Sequence, residues 1–225
     1  MARPRQALLS RQRIVETALA LIDAEGLEAL STRRLAAELG VQGPSLYNHF
    51  ATKDDILDAV ADAITGQVDI SYFDELPWPE ALRRWAHLYR QALAAHPNIV
   101  PVLVQGPRRR PAALAMADAV YGCLVAAGWP PASATHVGAA MRYFITGSAL
   151  ASFARGFVVD AELYVHSYPH LAQAHRLADH QKQVDEGAFG LGLDSMIQGL
   201  VAVYEHGGFA STRGATPLPS GATLR

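Results

Sequence analysis

Ser31-Thr32-Arg33-Arg34-Leu35-Ala36-Ala37-Glu38-Leu39-Gly40-Val41-Gln42-Gly43-Pro44-Ser45-Leu46-Tyr47-Asn48-His49-Phe50 is the most informative stretch of this chain. Ser31 is placed to cap a short helix that carries Leu35, Ala36 and Leu39 on one face, and Gly40 supplies the left-handed residue that ends it. Val41 and Gln42 make the turn. Pro44, with its fixed φ and no N–H to satisfy, suits the first turn of a further helix containing Leu46, Tyr47 and Phe50. Two short helices joined by a glycine turn form the helix-turn-helix pattern, whose second helix enters the major groove of DNA. With Leu46 and Phe50 turned inward, Gln42, Pro44, Ser45, Tyr47, Asn48 and His49 face outward, while Thr32 and Arg33 sit at the start of the preceding helix. Hydroxyl and lysine side chains suit phosphate oxygens, and an arginine can grip guanine O6 and N7 with two hydrogen bonds.

The flanking sequence supports an all-α fold. Upstream, Ser10 can cap a helix whose apolar positions Ile14, Ala18, Leu21 and Ile22 follow helical spacing as far as Gly26. Downstream, Thr52-Lys53-Asp54-Asp55 has the form of a capping box and opens a connecting helix over 54–67. Leu82, Trp85, Ala86, Tyr89 and Leu93 mark another helix that Pro97 closes, residues 112–127 mark the next, and two long helices are predicted over 132–155 and 189–205. The β-branched residues are scattered and do not alternate, so no strand ladder is expected. The resulting division is an N-terminal arm and helix-turn-helix module over 1–53 (the motif itself at 31–50), the connecting helix, a C-terminal helical domain over 68–206, and a disordered tail over 207–225.

The chain has 225 residues, of which 50% are hydrophobic and 18% charged. That is more apolar surface than a monomer of this size needs to hide, so a subunit interface or an internal cavity is expected. No run approaches an uninterrupted membrane span and the N-terminus lacks the apolar segment of a secretory signal, so a cytoplasmic protein with no membrane partner is predicted. The single cysteine, Cys123, excludes an intramolecular disulfide and reads as a small buried hydrophobe. Charge is uneven: residues 1–53 carry a net +2 and the remainder −4, against −2 for the whole chain. Arg3, Arg5, Arg11 and Arg13 lead the chain, as in a phosphate-facing module on a mildly acidic body.

The run from Leu30 to Val41, followed by Pro44 to Phe50 and Lys53, resembles the DNA-binding module of the tetracycline repressor (TetR) family. Further matches at Trp78, Leu82, Arg83, Ala86 and Arg90, and at Phe189, Gly192, Leu193, Ile197, Gly199 and Leu200, point to the tetracycline repressor subgroup. The resemblance implies nine or ten helices, a dimer interface of two long helices from each subunit, and a ligand cavity in the C-terminal domain. It also implies that Thr32, Arg33, Ser45, Tyr47, His49 and Lys53 contact palindromic double-stranded operator DNA, Arg33 at a base. Gly43 departs from the pattern, since it stands where the subgroup has a base-reading glutamine. Likewise, Leu103 occupies the place of a histidine that holds drug-bound magnesium and Trp85 that of a drug-binding asparagine. Both changes favour a flatter, more apolar effector with no metal or other cofactor.

Trp85, Tyr89, Leu103, Met116, Tyr121, Met141 and Phe144 are the candidate ligand-binding residues, each of a type that serves equally well as core. Phe189, Leu193, Met196, Ile197, Gly199 and Leu200 are the candidate dimer stripe, to pair with the helix over 132–153 of both subunits. His166 and His170 are four apart, but Pro169 lies between them and His175 and His180 diverge from them, so no metal site is expected. Arg108 to Arg110 reads either as a solvated loop between two prolines or as an anion site. No catalytic motif is present, which disfavours an enzyme. The sequence therefore points to a repressor released by a small molecule; the alternative is a DNA-binding regulator that is constitutive or controlled by a protein partner.

Overall fold

The computed structural model describes residues 9–106, 108–150 and 152–207. Among them it contains ten α-helices, linked in places by single turns of 3₁₀ helix, and no strand. The N-terminal module comprises α1 (Arg11–Glu25), α2 (Thr32–Leu39) and α3 (Gly43–Tyr47), and α4 (Lys53–Thr65) leads out of it. The second half comprises α5 (Trp78–Ala95), α6 (Val100–Leu103), α7 (Pro111–Ala127), α8 (Pro131–Leu150), α9 (Ala161–Ser167) and α10 (Gln181–His206).

Local chemistry fixes the N-terminal elements. Ser10 Oγ accepts from the Arg13 N–H at 3.2 Å and Ser31 Oγ from the Arg34 N–H at 3.1 Å. Gly40 ends α2 at φ 69°, ψ 31°, a conformation open to glycine at little steric cost. At α4 the capping box is complete: Thr52 Oγ1 accepts from the Asp55 N–H at 3.1 Å, and Asp55 Oδ2 accepts from the Thr52 N–H at 2.9 Å. Ile14, Ala18, Ile22, Leu35, Leu46, Ile56 and Val60 are buried where these helices meet. Each large aliphatic there contributes about 1.5–3 kcal/mol.

Three element ends differ from the sequence-based expectation. The third helix stops at Tyr47, and Asn48 and His49 form a turn. Phe50 thus lies outside the helix, although it is still buried and its N–H reaches the Leu46 carbonyl at 3.0 Å. The chain must reverse within a few residues to reach the Thr52 cap, and Asn favours such a turn over a helix interior. Helix α8 ends at Leu150, where Arg155 was expected; Thr146 and Ser148 hydroxyls donate back to the Arg142 and Ile145 carbonyls, bonds that compete with helix continuation. Helix α10 begins eight residues before Phe189. Its first two turns are polar, carry the Lys182–Glu186 pair at 3.8 Å, and give no apolar periodicity to read. All but Gly207 of the tail expected to be disordered lies outside the described residues.

In the second half, α5 packs against α8 and α10, and α7 packs against α8. Phe189, Leu193 and Ile197 on α10 are buried within their own chain, and Arg83 on α5 pairs with Asp194. Three of the six residues assigned to the dimer stripe are thus engaged in intrachain packing, while Gly199 is exposed and Met196 and Leu200 are half-buried. Within the subunit, close helix approach occurs at Gly192. A Cβ on Gly192 would stand 2.7 and 2.9 Å from the Phe144 ring, whereas one on Gly199 would meet nothing within 4 Å. Gly192→Ala should therefore cost about 1–3 kcal/mol in urea denaturation through overpacking. Gly199→Ala should leave the fold of the subunit intact, and equal losses in the two variants would refute this account of the packing.

Candidate DNA-binding surface and ligand cavity

Helices α2 and α3 form a shallow groove lined by Thr32, Arg33, Ala36, Ala37, Val41, Gly43, Pro44 and Tyr47. Arg33 is exposed and Tyr47 is 57% exposed, an unusual state for a large aromatic that has no partner to cover it. Gln42 and Asn48 are exposed beside the groove, while Ser45, His49 and Lys53 are half-buried. The basic residues divide by their partners. Arg34 is held by Glu25 at 2.8 Å and Glu38 at 3.7 Å. Arg11 donates to the His49 carbonyl and lies over the Phe50 ring, 4.0 Å from its centroid, so it fastens α1 to the turn after α3. Arg3 and Arg5 lie outside the described residues.

Helix α4 carries this module to the rest of the chain. It packs on α1 with one face and on α5, α6 and α7 with another. Helix α7 has no side-chain cap of its own. Asp62 of α4 supplies one from outside, its Oδ1 accepting from the Ala112 N–H at 2.8 Å and the Ala113 N–H at 3.2 Å. A carboxylate at this place also meets the positive end of the α7 dipole. One turn earlier, Asp58 stands 3.6 Å from both the Arg108 and the Arg110 guanidinium. A second bridge joins the halves at α1. Asn98 donates to the Ile22 and Asp23 carbonyls at 2.9 and 3.2 Å, and the His96 ring meets Asp23 at 2.8 Å. The module is thus held both by α4 and by residues that follow α5.

Behind the α4–α7 joint lies a cavity of about 320 Å³. Trp85, Tyr89, Leu103, Met116 and Tyr121 line it, as do Thr65, Arg110, Thr135, Gly138 and Arg142. Met141 and Phe144 are not in its wall: Met141 is fully buried, and Phe144 stacks on Phe189 with ring centroids 5.3 Å apart. Trp85 and Tyr89 lie one helical turn apart, and their rings are nearly parallel, at 7°.

Two arginines that the sequence reading did not place here make the cavity amphipathic. Arg110 is only 2% exposed, and its terminal nitrogen donates to the Gly106 carbonyl and, at 3.4 Å, to that of Val102. Burial pulls its pKa below the ordinary arginine value, and the Asp58 carboxylate works the other way. Arg142 donates to the Leu103 carbonyl at 2.7 Å. The Tyr89 hydroxyl is pushed upward in pKa by burial, against the pull of Arg142 and Arg110. Arg108 adopts φ +48°, a left-handed conformation costing about 1–3 kcal/mol, in the loop that turns Arg110 inward. An arginine run between prolines gives no local hint of such an inward turn. Ala134, Gly138 and Arg142, spaced by four, were the visible signal, because a helix face of small residues leaves room for something else.

The outer faces of α8 and α10 remain apolar, with Tyr143 74% and Leu191 72% exposed and Leu150 and Val203 about half exposed. By length and composition the stretch containing α10 could cross a membrane, and only 22% of its most apolar window is buried. The four histidines do not converge. His166, His175 and His180 each bond a backbone carbonyl within their own turn, and the described residues hold no cluster able to bind a metal ion.

Residues 14–60 match the family described as bacterial regulatory proteins, tetR family, and residues 73–204 match the tetracyclin repressor-like C-terminal domain. An HTH-type transcriptional regulator of Saccharopolyspora erythraea is 36% identical over 141 residues, covering 63% of this chain and 60% of that protein. The similarity thus spans somewhat under two thirds of that relative's length. The structure of a possible TetR family transcriptional regulator from Streptomyces coelicolor superimposes with a TM-score of 0.71 at 31% identity, covering 86% of this chain and all of that one. Another from the same organism, ActR in complex with actinorhodin, gives 0.70 at 29% identity, covering 87% of this chain and 98% of ActR. Asp62→Ala should lower stability by about 1 kcal/mol through loss of the α7 cap, as read from thermal or urea unfolding. An unchanged midpoint would show the cap to be replaced by water.

Proposed function

The chain belongs to the tetracycline repressor family of transcriptional regulators, and we propose that it is a homodimeric, cytosolic repressor released from a palindromic operator by an aromatic small molecule. The observation that carries this reading is that one helix, α4, packs against the groove-bearing module and also supplies the two carboxylates that meet the cavity's loop and the start of α7. A ligand there can alter how α4 is held, and through it the setting of α2 and α3.

The exposed apolar faces of α8 and α10 favour pairing of two subunits through these helices, with Gly199, Met196 and Leu200 at the accessible margin of α10. A dimer places two recognition helices about 34–36 Å apart, one turn of DNA, and a small tilt of α4 changes that spacing for both. The complex of the related ActR with actinorhodin supports a small-molecule effector.

In this reading Arg33 reads a base and Thr32, Ser45, Tyr47 and Lys53 hold phosphates, with Gln42, Pro44, Asn48 and His49 beside them. The protein should select a palindromic motif from a library of random duplexes, and sedimentation should find it dimeric at micromolar concentration. Arg33→Ala should then cost about 1–3 kcal/mol and relax the preference at one position per half-site. Lys53→Ala should instead weaken all sequences evenly and reduce the salt slope by about one. A folded monomer, or failure to enrich any motif, would remove the proposal.

A further inference from the structure

Buried donors without acceptors meet in one place. Arg110 Nε and Trp85 Nε1 are both buried, both side chains line the cavity, and neither atom donates a hydrogen bond. Arg142 lines the same cavity, where it donates to the Leu103 carbonyl and to the Tyr89 hydroxyl, neither of them a carboxylate. Three guanidiniums, those of Arg108, Arg110 and Arg142, are thus set against two carboxylates, Asp58, which the first two share, and Asp62, which is engaged by the α7 backbone, leaving an excess of one positive charge. The Asp58–Arg110 contact is itself long, 3.6 Å, against about 2.7–2.9 Å for a well-made charge-assisted hydrogen bond. Unpaired buried donors are unfavourable, so an occupant that fits this cavity brings acceptors to them. The Trp85 and Tyr89 rings, stacked on one another with centroids 6.1 Å apart, give the same occupant an aromatic lining.

We infer that the effector is a flat aromatic monoanion, a carboxylate by preference, and that its anionic group takes Arg110 from Asp58, so that the contact that binds it also frees α4. This rests on the proposed function and adds to it both the ligand class and the bond that is exchanged. In the free protein Arg110 holds Asp58, and Asp62 caps α7, so α4 is fixed at two points one turn apart. A carboxylate at hydrogen-bond distance from Arg110 Nε competes with Asp58 for the same guanidinium. The strained loop at Arg108, whose guanidinium is also 3.6 Å from Asp58, then loses its second hold on α4. The ligand differs in affinity between the two states by what Asp58 gives up, which is the condition for any ligand to shift an equilibrium.

The test uses the full-length protein with matched pairs of probes, anthraquinone-2-carboxylate against its carboxamide and 2-naphthoate against 2-naphthamide, followed by calorimetry. DNA binding is read on a duplex that the protein has itself selected. At least one carboxylate should bind at least tenfold more tightly than its amide and release the duplex. Asp58→Asn, nearly isosteric, should tighten that carboxylate several-fold while leaving its amide unchanged, and the carboxylate should then change affinity for the duplex less than twofold. Arg110→Met should abolish the preference for carboxylate; if it does not fold, Arg142→Met, expected to reduce that preference, and Asp58→Asn still decide the matter. The inference is overturned if Asp58→Asn weakens or leaves unchanged the binding of the carboxylate, if amides bind as well as acids, or if no carboxylate binds at millimolar concentration. An amide that binds and releases the duplex would overturn this inference and leave the proposed function standing. Selection of no duplex would remove the proposed function first.

Discussion

The architecture depends on the contact of α4 with α7, made by two aspartates at positions i and i+4 of one helix. That spacing puts Asp58 and Asp62 on the same face, one turn apart. Asp62 satisfies backbone donors that the start of α7 would otherwise leave to solvent, and Asp58 meets the loop that precedes it. Without this pair the contact of α4 with α7 would rest on apolar packing, which constrains burial but not direction. Charge-assisted contacts give the joint a defined geometry and allow something of like charge to undo it.

The joint has a counterpart at the other end of the module. Asn98 satisfies the carbonyls of Ile22 and Asp23 at the end of α1, and His96 meets Asp23, none of them in the cavity wall. The module is therefore seated twice, once beside the cavity and once away from it. In the proposed switch, a change confined to the first seat would turn the module about the second and would not simply release it. In the proposed dimer, rotation of this kind would alter the separation of two recognition helices more than it alters either helix, so both subunits would lose register on the DNA together.

The N-terminal fold was readable in the sequence because its determinants are local. Ser31, Gly40, Pro44 and the Thr52–Asp55 box each act within four residues of themselves, and the structure uses each in the role its chemistry suggests. Termini set by polar residues were not readable: the first turns of α10 carry no apolar stripe, and hydrogen bonds back from Thr146 and Ser148 accompany the early end of α8. The cavity was half readable. Trp85, Tyr89, Leu103, Met116 and Tyr121 were found from residue type and from the family resemblance, while the same criteria put Met141 and Phe144 in the wall, although they pack elsewhere. Arg110 could not be found in this way. Its inward direction accompanies the left-handed Arg108 and the contact with Asp58, 52 residues away in sequence, and neither leaves a mark on the residues next to it.

The weakness of the Asp58 contacts is itself informative. At 3.6 Å, with Asp58 about a quarter exposed, each ion pair is far from the strength of a buried bidentate one. For a structural fastening that would be a defect. For a switch it is a requirement, because the coupling between two ligands is typically about 1–3 kcal/mol, and a joint much stronger than this could not be opened by the binding of one small molecule. The Asp62 cap, with shorter bonds to two backbone donors, is the more permanent of the two. One turn of helix thus separates a contact suited to holding α4 in place from a contact suited to being exchanged, and the cavity opens beside the second.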